Sequence, residues 1–369
     1  MRCVTPHDDL TLDRPGWIVS VSGLLLALLL AGMTMLPVPY AIQRPGPTVD
    51  TLGERNGEPI VSVPADLRYG VGSGELRLTT VRVAGGPDDP VNAFEVIEGW
   101  VRADTAVVPR EDAFSEGEDA EQISDFQQAQ MAASQTNAAA AALQELGREV
   151  PMVLRVAETI PGAGAEGLFE PDDVLTDIAL EGSGEVVELV DFRDLTDFMR
   201  TVPPGARIEV GYLRSGEEGA AVLVTSPRPE GDDRPGSVLG VYVSADVSLP
   251  VQVDFDLDNI GGPSAGAMFA LAVVDVMTPG DLTGGEVIAG TGTMSVDGYV
   301  GAIGGVEQKM FGAVRDGAQW FLAPAGNCDE VVGNVPAGLT VVRIEDLSQA
   351  VDAVTAIAEG STTGLPSCG

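Results

Sequence analysis

A glycine-rich segment and one downstream lysine carry the residue types that nucleophilic chemistry requires. Ser264 lies in the segment Asp258–Gly266, with the sequence DNIGGPSAG, and Lys309 is the only lysine in the 369 residues. The only histidine, His7, lies in the N-terminal tail. A serine hydroxyl becomes a strong nucleophile when a neighbouring base accepts its proton. A serine–lysine pair is therefore the nucleophile and base that this sequence favours.

The residues around Ser264 predict a turn that opens a buried helix. Residues 265–277, AGAMFALAVVDVM, are apolar nearly all round, and Pro263 suits a first helical turn because its missing N–H needs no partner there. Free backbone N–H groups at such a terminus favour a developing oxyanion, which assigns Gly262, Pro263 and Ala265 a supporting backbone role. The alternative is that Ser264 only caps the helix.

Lys309 belongs to a predicted helix in the stretch 304–314, GGVEQKMFGAV, and shares its apolar stripe with Val306, Met310 and Ala313. Burial favours the neutral amine, so the stripe predicts a lysine pKa lowered toward that of a general base. The alternative is an ammonium group that reaches solvent. Thr291 lies in a predicted strand–turn–strand between the two sites. Its hydroxyl is a candidate to orient Lys309, or it is an ordinary strand threonine.

Three segments together carry a family resemblance: GGPSAG, TGGEVIAGTGTMSVDGYVGAIGGVEQK and FLAPAGNCDE. They resemble the proteolytic domain of the Lon protease superfamily, and the chain is similar to the PDZ-containing, membrane-anchored Lon-like proteases of Gram-positive bacteria. The resemblance covers about residues 251–352. It implies Ser264 as nucleophile, Lys309 as general base 45 positions later and Thr291 as the residue that holds the lysine. It also implies a ribosomal protein S5 domain 2-like α/β fold and a homo-oligomeric ring of six or three copies.

One departure from the ATP-dependent Lon proteins concerns energy coupling. Their P-loop requires Gly-Lys-Ser/Thr, and the sequence contains no Gly-Lys dipeptide. The prediction is a peptidase without ATP, cofactor or metal, acting on short, flexible or already extended polypeptide segments near a membrane.

The N-terminal elements predict how the site is anchored. Residues 16–36, GWIVSVSGLLLALLLAGMTML, form 21 uncharged residues, about the length that spans a bilayer. Arg2 and Arg14 precede this segment and Arg44 is the first basic residue after it, which predicts a cytoplasmic tail at 1–15 and an extracytoplasmic remainder. The alternative is a cleaved signal peptide, although no convincing small-x-small cleavage site follows.

The region between the anchor and the catalytic segments divides into two predicted parts. Residues 37–150 are expected to be β-rich, with a strand at Gly74–Val83 and an Ala-rich connector helix at Glu121–Leu146. Residues 151–226 resemble a bacterial PDZ domain, with Asp172 where the family glycine is usual. The predicted elements of this module are a strand at Met152–Val156, a helix at Asp191–Met199 and paired strands at Arg207–Leu213 and Ala220–Val224.

PDZ domains bind extended peptides by adding a strand to a sheet edge; the alternative is an α/β spacer with a blocked groove. Residues 227–236, rich in Pro, Asp and Gly, predict a linker. A Lon-like proteolytic domain is then expected at 237–357 and a tail at 358–369. A strand is predicted at Val251–Leu257.

Composition excludes several function classes. The net charge of −36 and pI of about 4.1 repel phosphate, so nucleic-acid binding is not expected. The cysteines Cys3, Cys328 and Cys368 form no CxxC motif, which argues against zinc. If the bulk of the chain lies outside the cytoplasm, Cys328 and Cys368 are expected to pair; two free thiols are the alternative.

These observations predict an α+β protein with an N-terminal transmembrane helix, a PDZ-like module and a C-terminal Lon-type proteolytic domain. The expected function is an ATP-independent, membrane-anchored serine endopeptidase that cleaves membrane-proximal or extracytoplasmic polypeptides with Ser264 and Lys309. The alternative is a non-catalytic PDZ-type peptide-binding scaffold. The presence of Ser264, Lys309 and Thr291 together argues against the scaffold.

Overall fold

The computed structural model describes residues 14–70, 72–115, 117, 119–229, 232, 234–257 and 260–369. Cys3, His7, most of the predicted tail and Asp258 and Asn259 lie outside the described residues. The helices are α1 Arg14–Met35, α2 Ala93–Val101, α3 Arg110–Ala113, α4 Ala120–Glu145, α5 Phe192–Thr201, α6 Gly266–Val276, α7 Val306–Arg315, α8 Cys328–Val331 and α9 Leu347–Ala358. The strands are β1 Tyr40–Asp50, β2 Glu54–Arg55, β3 Glu58–Pro59, β4 Val61–Ser62, β5 Glu75–Ala84, β6 Ala106–Pro109, β7 Met152–Thr159, β8 Val174–Leu180, β9 Val186–Glu188, β10 Arg207–Arg214, β11 Glu217–Val224, β12 Val241–Val247, β13 Asp254–Phe255, β14 Val287–Gly290, β15 Thr293–Met294, β16 Val300–Gly301, β17 Trp320–Pro324 and β18 Thr340–Ile344.

One compact unit contains the described part of residues 1–45 together with 81–123. Its α1 includes the apolar stretch Gly16–Met35, whose 20 residues are long enough to cross a membrane and are unburied. The first part of β1 pairs antiparallel with β6, from Tyr40 opposite Pro109 to Gln43 opposite Ala106. A small core of Ile42, Val91 and Val96 joins β1 to α2.

The second unit contains residues 46–80 and 124–369, and a parallel sheet forms the centre of its C-terminal part. Strands β18, β17, β14 and β5 are neighbours in that order, each parallel to the next. Because strand side chains alternate between faces, Ile288 and Leu322 join one core cluster with α6, whereas Ala289 and Phe321 join another with α7. Helices α6 and α7 therefore cover opposite faces of this sheet.

The Ala-rich helix predicted at Glu121–Leu146 is present as α4. Its C-terminal half is buried from Ala138 to Gln144, where the small alanine side chains allow close packing in the core. The interpretation of this helix as a packed connector is thus correct for its second half. Its first half is mostly exposed and approaches the glycine-rich turn.

The predicted PDZ-like segment forms its own antiparallel sheet, with the order β11-β10-β8-β7-β12 and β9 beside β8. The strands β10 and β11 form the predicted hairpin, joined by Ser215 and Gly216 at φ 52° and 85°. Two positive φ values fit a tight two-residue hairpin turn. Helix α5 begins at a capping box formed by Asp191 and Asp194, and its Leu195 and Met199 face the core.

The structure differs from the predicted domain limits in two places. Strand β12 lies inside the expected proteolytic domain at 237–357 but pairs with β7 of the PDZ-like sheet, from Val241 opposite Thr159 to Val247 opposite Met152. Residues 75–78 of β5, expected in a separate β-rich region, pair with β14 in the parallel sheet. Both pairings join strands distant in sequence, which local patterns do not reveal. The strand predicted at Val251–Leu257 is shorter, with only Asp254 and Phe255 paired to β4.

Cys328 and Cys368 form a disulfide across 40 residues, which resolves the two alternatives for this pair. Cys328 begins α8, and Cys368 is the penultimate residue of the chain. The bond therefore fastens the C-terminal tail beside the cluster that contains α7.

Candidate active site

Ser264 lies in the turn that leads into α6. Gly262 adopts φ +86°, a left-handed conformation that glycine adopts without steric cost. Its N–H donates to the carbonyl of Gln127 on α4, at 3.0 Å. At Gly261 a Cβ would lie 2.7 Å from Cβ of Gln127, so the turn approaches α4 too closely for a larger residue. The two glycines let the turn pack directly against α4.

Hydrogen bonds hold the turn on both sides of the serine. The carbonyl oxygen of Ser264 accepts from the N–H of Gly292 at 2.9 Å and from the hydroxyl of Thr291 at 3.0 Å. The carbonyl oxygen of Pro263 accepts from the hydroxyl of Ser134 on α4 at 2.9 Å. The backbone at Ser264 is thus fixed by the segment that follows β14 and by α4.

Lys309 lies on α7 with 2% of its surface exposed. The helix starts after Gly305, which adopts φ 68°. Burial lowers the pKa of Lys309 from 10.5 to about 7 because the ammonium form loses its hydration. Near neutral pH a large fraction of this side chain is therefore a neutral amine, with a lone pair able to accept a proton.

Thr291 connects the two predicted catalytic residues. Lys309 Nζ donates to Thr291 Oγ1 at 2.9 Å, while that hydroxyl uses its one proton on the carbonyl of Ser264. The neutral amine of Lys309 therefore uses an N–H in its bond with Thr291. The lone pair on Nζ is left to accept a proton from another group. Thr291 immediately follows β14. The two faces of the sheet that contains this strand are covered by α6 and α7.

The hydrogen bonds of the turn show which of the predicted N–H groups are still available to stabilise an oxyanion. The N–H of Gly262 is already bonded to Gln127, and Pro263 has no N–H. Within the described part of the chain, no acceptor is bonded to the N–H of Ser264 or Ala265. These two N–H groups precede α6, whose N-terminus adds a partial positive charge. Gly262 and Pro263 shape the turn, and the oxyanion role of the Ala265 N–H stays a prediction.

A groove of about 720 Å³ adjoins the turn. One wall is formed by α4, and Phe255, Leu257, Ile260 and Gly261 line the other side. The described lining residues are Ser124, Gln127, Gln128, Met131, Ala132, Gln135, Phe255, Leu257, Ile260 and Gly261. The mixture of amide and apolar side chains suits a polypeptide, whose backbone needs hydrogen bonds and whose side chains need apolar contact.

Sequence reasoning missed the contribution of α4 to this site. Ser134 bonds Pro263, Gln127 bonds Gly262, and the amide of Asn137 donates to the carbonyl of Met294 at 3.1 Å. The available signal was a set of polar residues inside an Ala-rich helix. That pattern alone does not distinguish a solvent-exposed face from one that contacts a turn more than 120 residues away.

Helix α5 and the linker segment at 227–236 contact the hairpin that follows Thr291. Arg193 on α5 donates to the carbonyl of Asp297 at 3.2 Å, and the guanidinium of Arg234 lies 4.3 Å from the ring centre of Tyr299. Both contacted residues lie between β15 and β16. The hairpin therefore links the PDZ-like part to the segment that holds Ser264 and Lys309.

Residues 259–357 match the family model of the Lon protease (S16) C-terminal proteolytic domain. The Lon protease of Clostridioides difficile (strain 630) is 35% identical over 94 residues, which are 25% of this chain and 12% of that protein. The Lon protease of Neorickettsia sennetsu (strain ATCC VR-367 / Miyayama) is 37% identical over 95 residues, 26% of this chain and 11% of that protein. The predicted resemblance to Lon proteolytic domains is confirmed, and the matched stretch spans about an eighth of these relatives.

Solved structures of two PDZ domains also match. The PDZ domain of an SdrC-like protein from Listeria monocytogenes gives a TM-score of 0.21 at 13% identity, covering 25% of this chain and 86% of that chain. The PDZ domain of an SdrC-like protein from Listeria innocua gives a TM-score of 0.21 at 14% identity, covering 25% and 92%.

Proposed function

We propose that this chain is an ATP-independent, membrane-anchored serine endopeptidase with Ser264 as nucleophile and Lys309 as general base. The observation that carries the proposal is the buried amine of Lys309, with its pKa lowered to about 7 and its N–H bonded to Thr291, which itself holds the backbone of Ser264. A residue match to Lon proteolytic domains over 259–357 supports the same reaction class.

The proposed reaction has two halves. Ser264 Oγ attacks the carbonyl carbon of the scissile peptide while Lys309 Nζ accepts the hydroxyl proton. The N–H groups of Ser264 and Ala265 stabilise the oxyanion, and Lys309 returns the proton to the leaving amine as the C–N bond breaks. Water then attacks the acyl-enzyme, with Lys309 again as base, and releases the carboxylic acid and free Ser264.

The proposed setting is the extracytoplasmic side of a membrane, with α1 as the anchor. The 20 apolar residues Gly16–Met35 support an anchor, and the disulfide between Cys328 and Cys368 supports an oxidising compartment. Without a Gly-Lys-Ser/Thr P-loop in the 369 residues, we propose substrates that are already extended or flexible.

We further propose that the PDZ-like sheet selects extended peptides for the groove. Strand β12 stands at the end of the strand order, so its second edge is open to an added strand among the described residues. The contacts of Arg193 and Arg234 with the hairpin after Thr291 would bring such a peptide near the catalytic segment.

The direct test uses the purified full chain in lipid nanodiscs with an unfolded fluorogenic protein substrate. Ser264→Ala is expected to lower turnover by at least about 10³-fold, as expected for loss of a covalent nucleophile. Ser361→Ala, at an exposed serine in the C-terminal region, serves as the matched control and should retain full activity. Equal cleavage by Ser264→Ala would refute the proposal, and a requirement for added ATP would refute its ATP-independent part.

The scaffold alternative is separated by an electrophilic probe that acylates nucleophilic serines. We expect intact-mass and peptide analysis to place one adduct on Ser264, and the adduct to disappear in Lys309→Met. A chain that binds extended peptides yet neither cleaves them nor reacts with the probe would establish the scaffold instead.

A further inference from the structure

Helix α2 carries a contiguous apolar face that the rest of its unit leaves exposed. The face is formed by Phe94, Ile97, Trp100 and Val101, which are 52%, 44%, 64% and 82% exposed. Their spacing places them on one side of the helix, next to the side on which Val96 and Gly99 are buried. Large apolar side chains in such a stripe usually mark an interaction surface.

Helix α2 begins beside the end of α1. Pro37 follows the end of α1 at Met35 by two residues and bridges to Asn92, the N-cap of α2. The N–H of Val38 also donates to the carbonyl of Val91 at 3.0 Å. Two residues span at most about 7 Å, so α2 starts close to the end of the apolar helix. The two helices are also in contact.

The residue types and charges favour a lipid surface over a charged partner. Tryptophan and tyrosine concentrate at the boundary between lipid headgroups and hydrocarbon, and Trp100 lies edge-on to Tyr40 with ring centres 6.2 Å apart. Glu98 borders this face, one turn from Phe94, and forms a long ion pair with Arg102 at 3.9 Å. The chain has a net charge of −36, so anionic lipids are not expected to attract it.

We propose that α2 is an interfacial helix whose Phe94, Ile97 and Trp100 insert into the headgroup boundary of the bilayer that α1 spans. The proposal rests on the membrane anchorage proposed above. Insertion to about 5–10 Å, typical of such helices, would hold the start of β1 at the membrane surface in addition to the covalent link through α1. Zwitterionic lipids suffice because apolar contact supplies the affinity.

The three tryptophans of the chain, Trp17, Trp100 and Trp320, make the test specific. Each is retained alone in a double Trp→Phe variant of the full chain, reconstituted into phosphatidylcholine vesicles. The measurement is emission with lipids brominated either near the headgroups or near the chain ends. Trp100 should be blue-shifted and lose roughly half of its emission to the headgroup-proximal bromines, as a shallow interfacial residue does.

The other two variants are internal references. Trp17 lies in α1, and its quenching reports whether that helix is in the bilayer. Trp320 lies in β17 of the second unit and should keep its emission with either lipid. Quenching of Trp17 without Trp100 overturns the interfacial helix and leaves the anchor intact, whereas quenching of neither overturns the anchor itself.

A second copy of the chain, or another protein, is the competing occupant of the face. In that case Trp100 would be shielded from acrylamide but not quenched by brominated lipid, which overturns the lipid proposal. Ile97→Glu in the Trp100-only chain provides the matched perturbation, because a carboxylate at the headgroup boundary opposes insertion. We expect this change to red-shift Trp100 and to weaken bromine quenching; unchanged quenching would contradict the proposal.

Discussion

Two buried ionisable groups in the second unit, Lys309 and Asp275, both have pKa values shifted toward the neutral form, yet their surroundings differ. Each is 2% exposed. Burial lowers the pKa of Lys309 to about 7 and raises the pKa of Asp275 from 3.8 to about 6. The same physical cause acts on both, because a charge loses hydration when it leaves water.

The difference lies in what surrounds each group. Lys309 bonds Thr291, which bonds the backbone of Ser264. Asp275 Oδ2 accepts from the N–H of Leu282 at 3.2 Å, while its Oδ1 has no partner among the described residues. Asp275 lies near the C-terminus of α6, about 14 Å along the helix from the glycine-rich turn. A buried group with a shifted pKa supports catalysis only if it lies beside a reactive group. Away from a reactive group, its burial only lowers the free energy of unfolding.

Replacement of Lys309 should have the largest effect. Lys309→Met is expected to lower kcat/KM by about 10³-fold or more, since the sequence contains no other lysine to accept the serine proton and its one histidine, His7, lies in the N-terminal tail. The free energy of unfolding should not fall, because a buried amine is replaced by an apolar side chain of similar length. Substrate cleavage and thermal unfolding of the same preparation check both. Cleavage at the wild-type rate would make Lys309 a second buried group without a catalytic role, like Asp275.

Loss of the Thr291 hydroxyl should have the next largest effect. Thr291→Val removes the acceptor of Lys309 and a donor to Ser264, and misplacement of the base is expected to cost about 10²-fold in kcat. Thr79→Val is the matched control, because Thr79 is a buried threonine whose hydroxyl donates to the carbonyl of Gly290 and forms no hydrogen bond with Lys309 among the described residues. Equal losses in the two variants would indicate a purely structural role for Thr291, whereas Thr291→Ser should recover much of the activity.

The pH dependence of cleavage tests the ionisation of Lys309 directly. Below a pKa of about 7 the amine is protonated, so kcat/KM should fall about tenfold for each unit of pH. Above that pKa it should level off. Because the chain contains one lysine, ¹³C-labelled lysine gives a single side-chain NMR signal whose titration reports the same pKa. A midpoint near the ordinary lysine value of 10.5 would contradict the buried neutral amine.

The smallest expected effect is on stability, at Asp275. Its pKa is raised in the folded state, so between about pH 4 and 6 the folded chain binds more protons than the unfolded chain, and stability falls as pH rises. A shift of this size corresponds to about 2–3 kcal/mol above pH 6. Asp275→Asn should recover part of this free energy at neutral pH and flatten the pH dependence, measured by urea unfolding at several pH values.

Asp281 provides the control for that measurement. Its pKa is lowered by a hydrogen bond from the Thr283 hydroxyl, and its carboxylate also accepts from the N–H of Gly284. Asp281→Asn should therefore decrease stability at neutral pH, opposite in sign to Asp275→Asn. Activity should be unaffected by Asp275→Asn, since the residue lies far from the turn. A decrease in cleavage with Asp275→Asn would show that the two buried groups are coupled.

Local patterns predicted several elements well. The alternation at Gly74–Val83 predicted β5, the Ala-rich stretch predicted α4 within one residue at each end, and the apolar run after Pro263 predicted α6. Burial of Lys309 followed from its apolar stripe. These features depend on neighbours within a few positions, where helix and strand periodicity act.

Long-range pairings were beyond those patterns. The partner of β12 is β7, about 90 residues earlier, and β5 pairs with β14 more than 200 residues later. The contacts of Gln127 and Ser134 with the glycine-rich turn belong to the same class. Parallel strand pairs and contacts between a helix and a turn produce no pattern in the neighbouring sequence. Their partners are brought together only when distant apolar faces are buried.

The sequence by itself determined which groups and segments are present. These are one lysine, a serine in the glycine-rich segment GGPSAG and an apolar segment long enough to span a membrane, without a Gly-Lys-Ser/Thr motif in the 369 residues. Only the tertiary structure decided that α6 and α7 cover opposite faces of one parallel sheet, so that Thr291 at the end of β14 contacts both Lys309 and the backbone of Ser264. The physical reason is that a residue type sets which proton transfers are available, whereas burial and hydrogen bonding among distant segments set the pKa and the position of the groups.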